Sequence, residues 1–120
     1  MQQKKIMIAD DDAAIVDVIE LILSFEGYTV RSTLKGETLM DMDDNFPDLI
    51  LLDIWMSGWD GREICKKLKL AEASKETRII LTSASKDIEF SAIEAGADDF
   101  IAKPFDIKDL VGKVKKQLEK

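Results

Sequence analysis

The 120-residue sequence contains no histidine, one cysteine and no long apolar run. Without histidine there is no imidazole to activate a nucleophile, ligate a metal or carry a phosphoryl group on this chain. Cys65 has no partner for an internal disulfide, which fits a reducing compartment. It follows a helical pattern with Ile64 and Leu68 and reads as a small core residue rather than a reactive thiol. The first ten residues hold two lysines but no long apolar stretch, so no signal peptide is visible. No apolar run approaches the ~20 residues of a membrane span. A cytoplasmic chain without a membrane partner is the expectation. Basic charge is scarce as well: 17 basic residues face 24 acidic ones, for a net charge of −7. Such a surface repels phosphate backbones, which argues against direct nucleic-acid binding.

What is present is a soluble globular composition, 46% hydrophobic and 34% charged. The length suits a single domain over residues 1–120. There is no linker, internal repeat or low-complexity tract. Short continuous apolar runs alternate with segments of helical spacing. The runs are Ile6 to Ala9, Tyr28 to Val30, Leu49 to Leu52, Ile79 to Leu81 and Phe100 to Ala102. Between them lie helical patterns on Ile15, Val18, Ile19, Ile22 and Phe25, then a weaker one from Leu34 to Met42, broken by Asn45 and Pro47. The next helix begins near Asp60 and carries Ile64, Cys65 and Leu68. A fourth has Ile88, Ala92, Ile93 and Ala95 and ends at Gly96. The last has Ile107, Leu110, Val111, Val114 and Leu118, with Asp106 as N-cap.

Five strand–helix units of this kind predict an α/β fold. Runs that are apolar on both faces belong to a parallel sheet covered on both sides. Right-handed crossovers then give a doubly wound (βα)5 sheet, flavodoxin-like, with strand order 2-1-3-4-5. The stripes on the first and last helices are read as core-facing rather than as partner seams.

Ligands of open parallel sheets bind beyond the carboxyl ends of the strands. Asp10, Asp11 and Asp12 follow the first strand, and Asp53 follows the third. Thr82 and Ser83 close the fourth, and Lys103 and Pro104 follow the fifth. Singly, each has an ordinary explanation: a helix cap, a turn aspartate, a β-branched strand end, a solvated lysine. None of these explains why all fall at consecutive strand ends of one sheet. Three carboxylates in one crevice disfavour mutual ionisation, so either some hold protons or a cation enters, a divalent cation being the natural solution. Oxygen ligands select Mg2+, with Mn2+ as the alternative ion, while the absence of histidine makes zinc a poor candidate. A carboxylate can act as nucleophile toward phosphorus, Lys103 can offset phosphoryl charge and Thr82 can donate a hydrogen bond. The constellation reads as phosphoryl acceptance on Asp53.

These residues resemble the receiver domain of two-component response regulators, the CheY-like superfamily, from Lys5 to about Leu118. The motifs are "IMIADDD", "LILLDIWMSGWDG", "IILTSAS" and "EAGADDFIAKPF". The resemblance implies that Asp53 takes a phosphoryl group from a phosphohistidine of a sensor histidine kinase or a histidine phosphotransfer protein. It implies that Asp10 and Asp11 hold the metal with Asp53, Asp11 the more directly, and that the backbone carbonyl of Trp55 is a further ligand. Thr82 is implied as the switch hydroxyl, Phe100 as the aromatic switch position and Lys103 as the phosphate-contacting lysine, with a cis bond to Pro104. The only chemistry implied is self-catalysed phosphotransfer and autodephosphorylation. The signalling and homodimerisation face is implied for helix 4, strand 5 and helix 5, roughly residues 86–120. It includes Lys108, Lys113, Lys115 and Lys116, read as a solvated face.

Two positions depart from the pattern. Ser57 stands where proline is common, which leaves the loop between Asp53 and Asp60 less constrained. Trp55 is large for a position that, with Ala84, tunes how long the phosphoryl group survives, and is expected to shield the site from water. The chain leaves no room for an output module, so a downstream protein, or an output domain absent from this sequence, is expected to deliver the signal. Alternatives are a phosphorylation-independent pseudo-receiver scaffold, a flavodoxin-like cofactor binder and an aspartate-nucleophile phosphohydrolase. The hydrolase wants a second aspartate where Trp55 stands, and the flavodoxin-like binder wants a phosphate loop where Asp10 to Asp12 would repel one.

Overall fold

The computed structural model describes residues 3–56 and 58–119, so the departure at Ser57 lies outside the described residues. The elements are β1 (Lys5–Ala9), α1 (Ala13–Phe25), β2 (Thr29–Thr33), α2 (Gly36–Met40), β3 (Leu49–Asp53), β4 (Trp55–Met56), β5 (Trp59–Asp60), α3 (Gly61–Leu70), β6 (Arg78–Ser83), α4 (Ile88–Ala95), β7 (Asp99–Ala102) and α5 (Ile107–Leu118). β2, β1, β3, β6 and β7 form the main sheet in that order, all pairs parallel. This is the expected order 2-1-3-4-5, since β6 and β7 are the fourth and fifth apolar runs. The expectation did not include β4 and β5, a small antiparallel hairpin in which Trp55 pairs with Asp60 and Met56 with Trp59.

Strand alternation divides the core between the two faces of the sheet. Met7, Ala9, Ile50, Leu52, Ile79 and Leu81 face one layer with Leu39, Ile64, Cys65, Leu68, Ile88 and Ala92. Ile6, Ile8, Leu49, Leu51 and Ile80 face the other with Val16, Ile19, Leu23, Leu110 and Val114. β3 is buried along its whole length, which is why its sequence shows no polar alternation.

Local chemistry sets the helix ends. Asp12 caps α1 by accepting from the amides of Ala14 and Ile15, and Asp106, as expected, caps α5 by accepting from Asp109 N. Gly96 ends α4 in the left-handed region at φ 77°, where a side chain would be strained.

The expected stripe on α1 needs correction. Val16, Ile19 and Leu23 are the buried positions, with Ile15 and Ile22 beside them, while Val18 and Phe25 are exposed. The helix is apolar nearly all round, so spacing alone supports more than one face. Ile93 of α4 and Ile107 of α5 also lie exposed rather than in the core. Among the described residues, no helix is long and apolar enough to cross a membrane.

Candidate functional site

The parallel register places the expected residues along one edge of the sheet. Asp53 and Thr82 are direct partners across β3 and β6. Ala9 pairs with Leu52, so Asp10 follows β1 at the level of Asp53. Ser83 pairs with Ala102, and the amide of Lys103 donates to Ser83 O at 2.8 Å, which fixes the end of β7 beside β6. The Lys103–Pro104 bond is cis, as the resemblance implied.

The side chains converge. Lys103 Nζ lies 2.8 Å from Asp10 Oδ2 and 3.7 Å from Asp53 Oδ1. Asp10 Oδ1 also accepts from the amide of Asp12 at 2.9 Å, so both its oxygens are engaged. Asp53 Oδ1 accepts a long bond of 3.4 Å from the amide of Trp55. Asp10, Asp53 and Thr82 are buried, whereas Asp11 is exposed at the rim.

The electrostatics follow from this geometry. Burial, and then the charge of Asp10, push the Asp53 carboxyl up to about 6 from an ordinary 3.8. Lys103 and the Trp55 amide pull the other way without cancelling the rise. The Lys103 ammonium faces both Asp10 and Asp53, with Asp11 beside them, and an added divalent cation would relieve the crowding of negative charge. Asp10, Asp11 and Asp53 each offer an oxygen, and these oxygens lie within 4.8 Å of one another. Such an all-oxygen donor set fits Mg2+ or Mn2+.

The backbone beside Asp53 is tightly braced. Gly61 N donates to Ile54 O at 2.7 Å, and a Cβ on Gly61 would come within 2.3 Å of Asp53 O. Only glycine permits this approach between α3 and the end of β3. Trp55 is 60% exposed, and the Arg62 guanidinium lies over its ring at 5.1 Å from the centroid.

Phe100 is half-buried on β7 against the α3–α4 layer. Lys113, expected in a solvated face, instead places its ammonium 4.4 Å from the Phe100 ring centroid, donates to Phe100 O and lies 3.7 Å from Asp99 Oδ1. The sequence gives no sign of the Lys113 or Arg62 contact, because each joins elements that only the fold brings together. Cys65 is fully buried, and burial pushes its thiol up to about 12, in keeping with an inert core residue.

An acidic triad, a lysine and a hydroxyl thus meet at the carboxyl edge of a doubly wound sheet, the edge where such sheets bind their ligands. Comparison with known proteins agrees with that placement. The family model of the response regulator receiver domain matches residues 6–115, and the chain belongs to that family. A putative response regulator from Chloroflexus aurantiacus J-10-fl is 34% identical, with 99% of this chain and 100% of that one covered and a TM-score of 0.91. A CheY-like response regulator receiver domain protein from Methanospirillum hungatei JF-1 is also 34% identical, with 98% and 95% covered and a TM-score of 0.85. The response regulator DrrB of Thermotoga maritima, an OmpR/PhoB homolog, is 32% identical, with 98% of this chain and 54% of that one covered and a TM-score of 0.88.

Proposed function

We propose that this receiver domain accepts a phosphoryl group on Asp53 from a phosphohistidine of a sensor histidine kinase or histidine phosphotransfer protein. The observation that carries this reading is the position of Asp53: buried, opposite Thr82, 3.7 Å from the Lys103 ammonium and clustered with Asp10 and Asp11. In the transfer, the P–N bond of the donor imidazole breaks as a P–O bond forms to an Asp53 carboxylate oxygen. The imidazole nitrogen keeps the electron pair. Asp53 must be ionised to attack, and Lys103 favours that form. Asp10, Asp11, Asp53 and the Trp55 carbonyl would hold Mg2+ or Mn2+, which supplies neutralisation of phosphoryl charge. Lys103 offsets charge on one phosphoryl oxygen, and Thr82 donates its hydroxyl to another. The chemistry is confined to the domain's own aspartate: self-catalysed phosphotransfer and autodephosphorylation.

The added charge biases Thr82 and Phe100 between two arrangements and alters the face built from α4, β7 and α5. That face serves a downstream protein, an output domain or a second copy of this chain, in the cytoplasm and without direct contact to nucleic acid.

The test is incubation with Mg2+ and acetyl phosphate, followed by intact-mass measurement. One phosphoryl addition, absent in Asp53→Asn, is the expected result. No addition would favour a pseudo-receiver scaffold, and steady turnover without an adduct would favour a phosphohydrolase.

A further inference from the structure

The structure assigns to Arg62 the role of a positioning residue that clamps Trp55, and with it the backbone flanking Asp53, onto the first turn of α3. Three independent contacts converge on this arginine. Its guanidinium stacks over the Trp55 ring at 5.1 Å. Its Nε lies 3.0 Å from Asp60 Oδ1 and its NH2 2.7 Å from Asp60 Oδ2, a bidentate fork. Its backbone amide donates to Asp60 Oδ1 at 2.9 Å, the N-cap bond of α3. Asp60 is in turn the strand partner of Trp55 in the β4–β5 hairpin. The side chain of Arg62 therefore closes a loop that the backbone has opened: Trp55 to Asp60 by strand pairing, Asp60 to Arg62 by the fork, Arg62 to Trp55 by the stack.

This loop matters because of what lies inside it. Asp53 and Trp55 are two residues apart, and the Trp55 amide reaches Asp53 Oδ1. Gly61, between Asp60 and Arg62, touches the backbone of Asp53 and Ile54 so closely that no Cβ fits. Residues 60–62 thus form one side of a clasp whose other side is residues 53–55. Within that clasp, the Trp55–Arg62 stack and the Asp60–Arg62 fork are the parts that can open by side-chain motion alone. Arginine suits the task because its planar guanidinium can bind a carboxylate edge-on while its face covers a ring. The pair holds Asp60 below the ordinary carboxylate range, so the fork persists across the physiological pH range.

The inference rests on the reading of Asp53 as acceptor and of the Trp55 carbonyl as metal ligand. An open clasp would leave that carbonyl loosely placed and weaken Mg2+ binding. The experiment uses Trp59→Phe protein, in which Trp55 is the sole tryptophan. Arg62→Met, which keeps the stem but loses the fork and the charge, is compared with Arg62→Lys, which keeps the stem and the charge but loses the planar fork. In metal-free protein, acrylamide should quench Trp55 more strongly in Arg62→Met. The Mg2+ dissociation constant, read from Trp55 fluorescence, should rise roughly two- to fivefold, with Arg62→Lys between. The Mg2+ effect, followed by calorimetry, should vanish when Arg62→Met is made in Trp55→Ala protein, because Arg62 acts through the ring. Unchanged quenching and Mg2+ affinity in Arg62→Met would overturn the assignment. So would an equal loss of affinity in the Trp55→Ala background, which would mean that Arg62 acts only through the α3 cap. If Arg62→Met does not fold, Arg62→Lys decides by the same two readings. Protein that shows these effects yet never gains mass at Asp53 would sink the acceptor reading and leave the clamp standing.

Discussion

Lys103 reaches back from the end of β7 to the end of β1, where its ammonium lies 2.8 Å from Asp10 Oδ2. β3 and β6 separate these two strands in the sheet, so this one ion pair spans the whole acidic crevice. Its side chains are only 17% and 4% exposed, which places the pair well above an ordinary surface bridge in energetic weight.

Lys103→Met keeps the apolar stem and removes the charge that faces Asp10 and Asp53. The expected cost is about 3 kcal/mol, toward the low end for breaking a buried pair because the crevice opens to water. Thermal denaturation with and without Mg2+ tests this. The variant should lose stability in chelator and recover a large part with Mg2+, because the cation takes over the neutralisation. Phosphoryl uptake from acetyl phosphate should slow at least tenfold, since Lys103 also faces the Asp53 oxygen. Equal stability of the two proteins in chelator would refute the electrostatic role.

The raised Asp53 carboxyl has a definite sign in pH-dependent stability. Its folded value, about 6, exceeds the ordinary 3.8, so the folded state binds more protons between those values. Its contribution is therefore most favourable below about 3.8 and is lost as pH rises through about 6. At neutral pH, metal-free protein carries an ionised Asp53 at a cost of roughly 1–2 kcal/mol, allowing for solvent at the sheet edge. Asp53→Asn should accordingly be more stable than the parent protein in chelator at pH 7, and the gain should shrink to near zero toward pH 4. Urea titrations at several pH values would show it. A gain independent of pH would rule out ionisation as its source.

The fold and the acidic site were largely legible because the same residues serve both. β1, β3 and β6 are covered on both faces, so Ile6 to Ala9, Leu49 to Leu52 and Ile79 to Leu81 stand out as unbroken apolar runs. Their polar ends mark the crevice by contrast. β2 was harder to bound: it is the sheet's edge, and Thr29, Arg31 and Ser32 are exposed. The hairpin of β4 and β5 was invisible because two-residue strands have no periodicity. The α1 face was ambiguous for the opposite reason, an excess of apolar residues including Leu21 and Phe25 that the sheet does not cover. The Lys113 and Arg62 stacks depend on the approach of separate elements, and composition carries no trace of that.

Two glycines in helices should respond oppositely to alanine. At Gly61 the new Cβ would lie 2.3 Å from Asp53 O, a backbone atom that cannot move without shifting the site. Gly61→Ala should cost about 3 kcal/mol and slow phosphoryl uptake tenfold or more, because the proposed acceptor Asp53 is displaced. Gly112 is exposed on α5, and a Cβ there meets nothing within 4 Å. Gly112→Ala should stabilise by about 1 kcal/mol through helix propensity and leave phosphorylation unchanged. Denaturant midpoints and acetyl phosphate kinetics on the two variants suffice. Equal effects at the two positions would contradict the close packing at Gly61.

If Asp53 accepts a phosphoryl group as proposed, Trp55 should bear on how long that group survives. Hydrolysis needs water in line with the phosphorus on Asp53, entering from the open edge of the sheet. The flanking positions there are unequal: Ala84 is small and exposed, while Trp55 presents an indole held by Arg62. Removing the indole widens access without touching an ionisable group of the site. Trp55→Ala should therefore shorten the lifetime of the phosphorylated protein several-fold while leaving the rate of uptake from acetyl phosphate, measured at saturating Mg2+ to offset the lost Arg62–Trp55 clamp, within about twofold, since a small donor gains little from the ring. Decay of the phosphorylated mass after donor removal measures this directly. A lifetime unchanged by the substitution would mean that water reaches Asp53 by a route the indole does not cover, and would leave Trp55 with only its backbone contact to the acceptor.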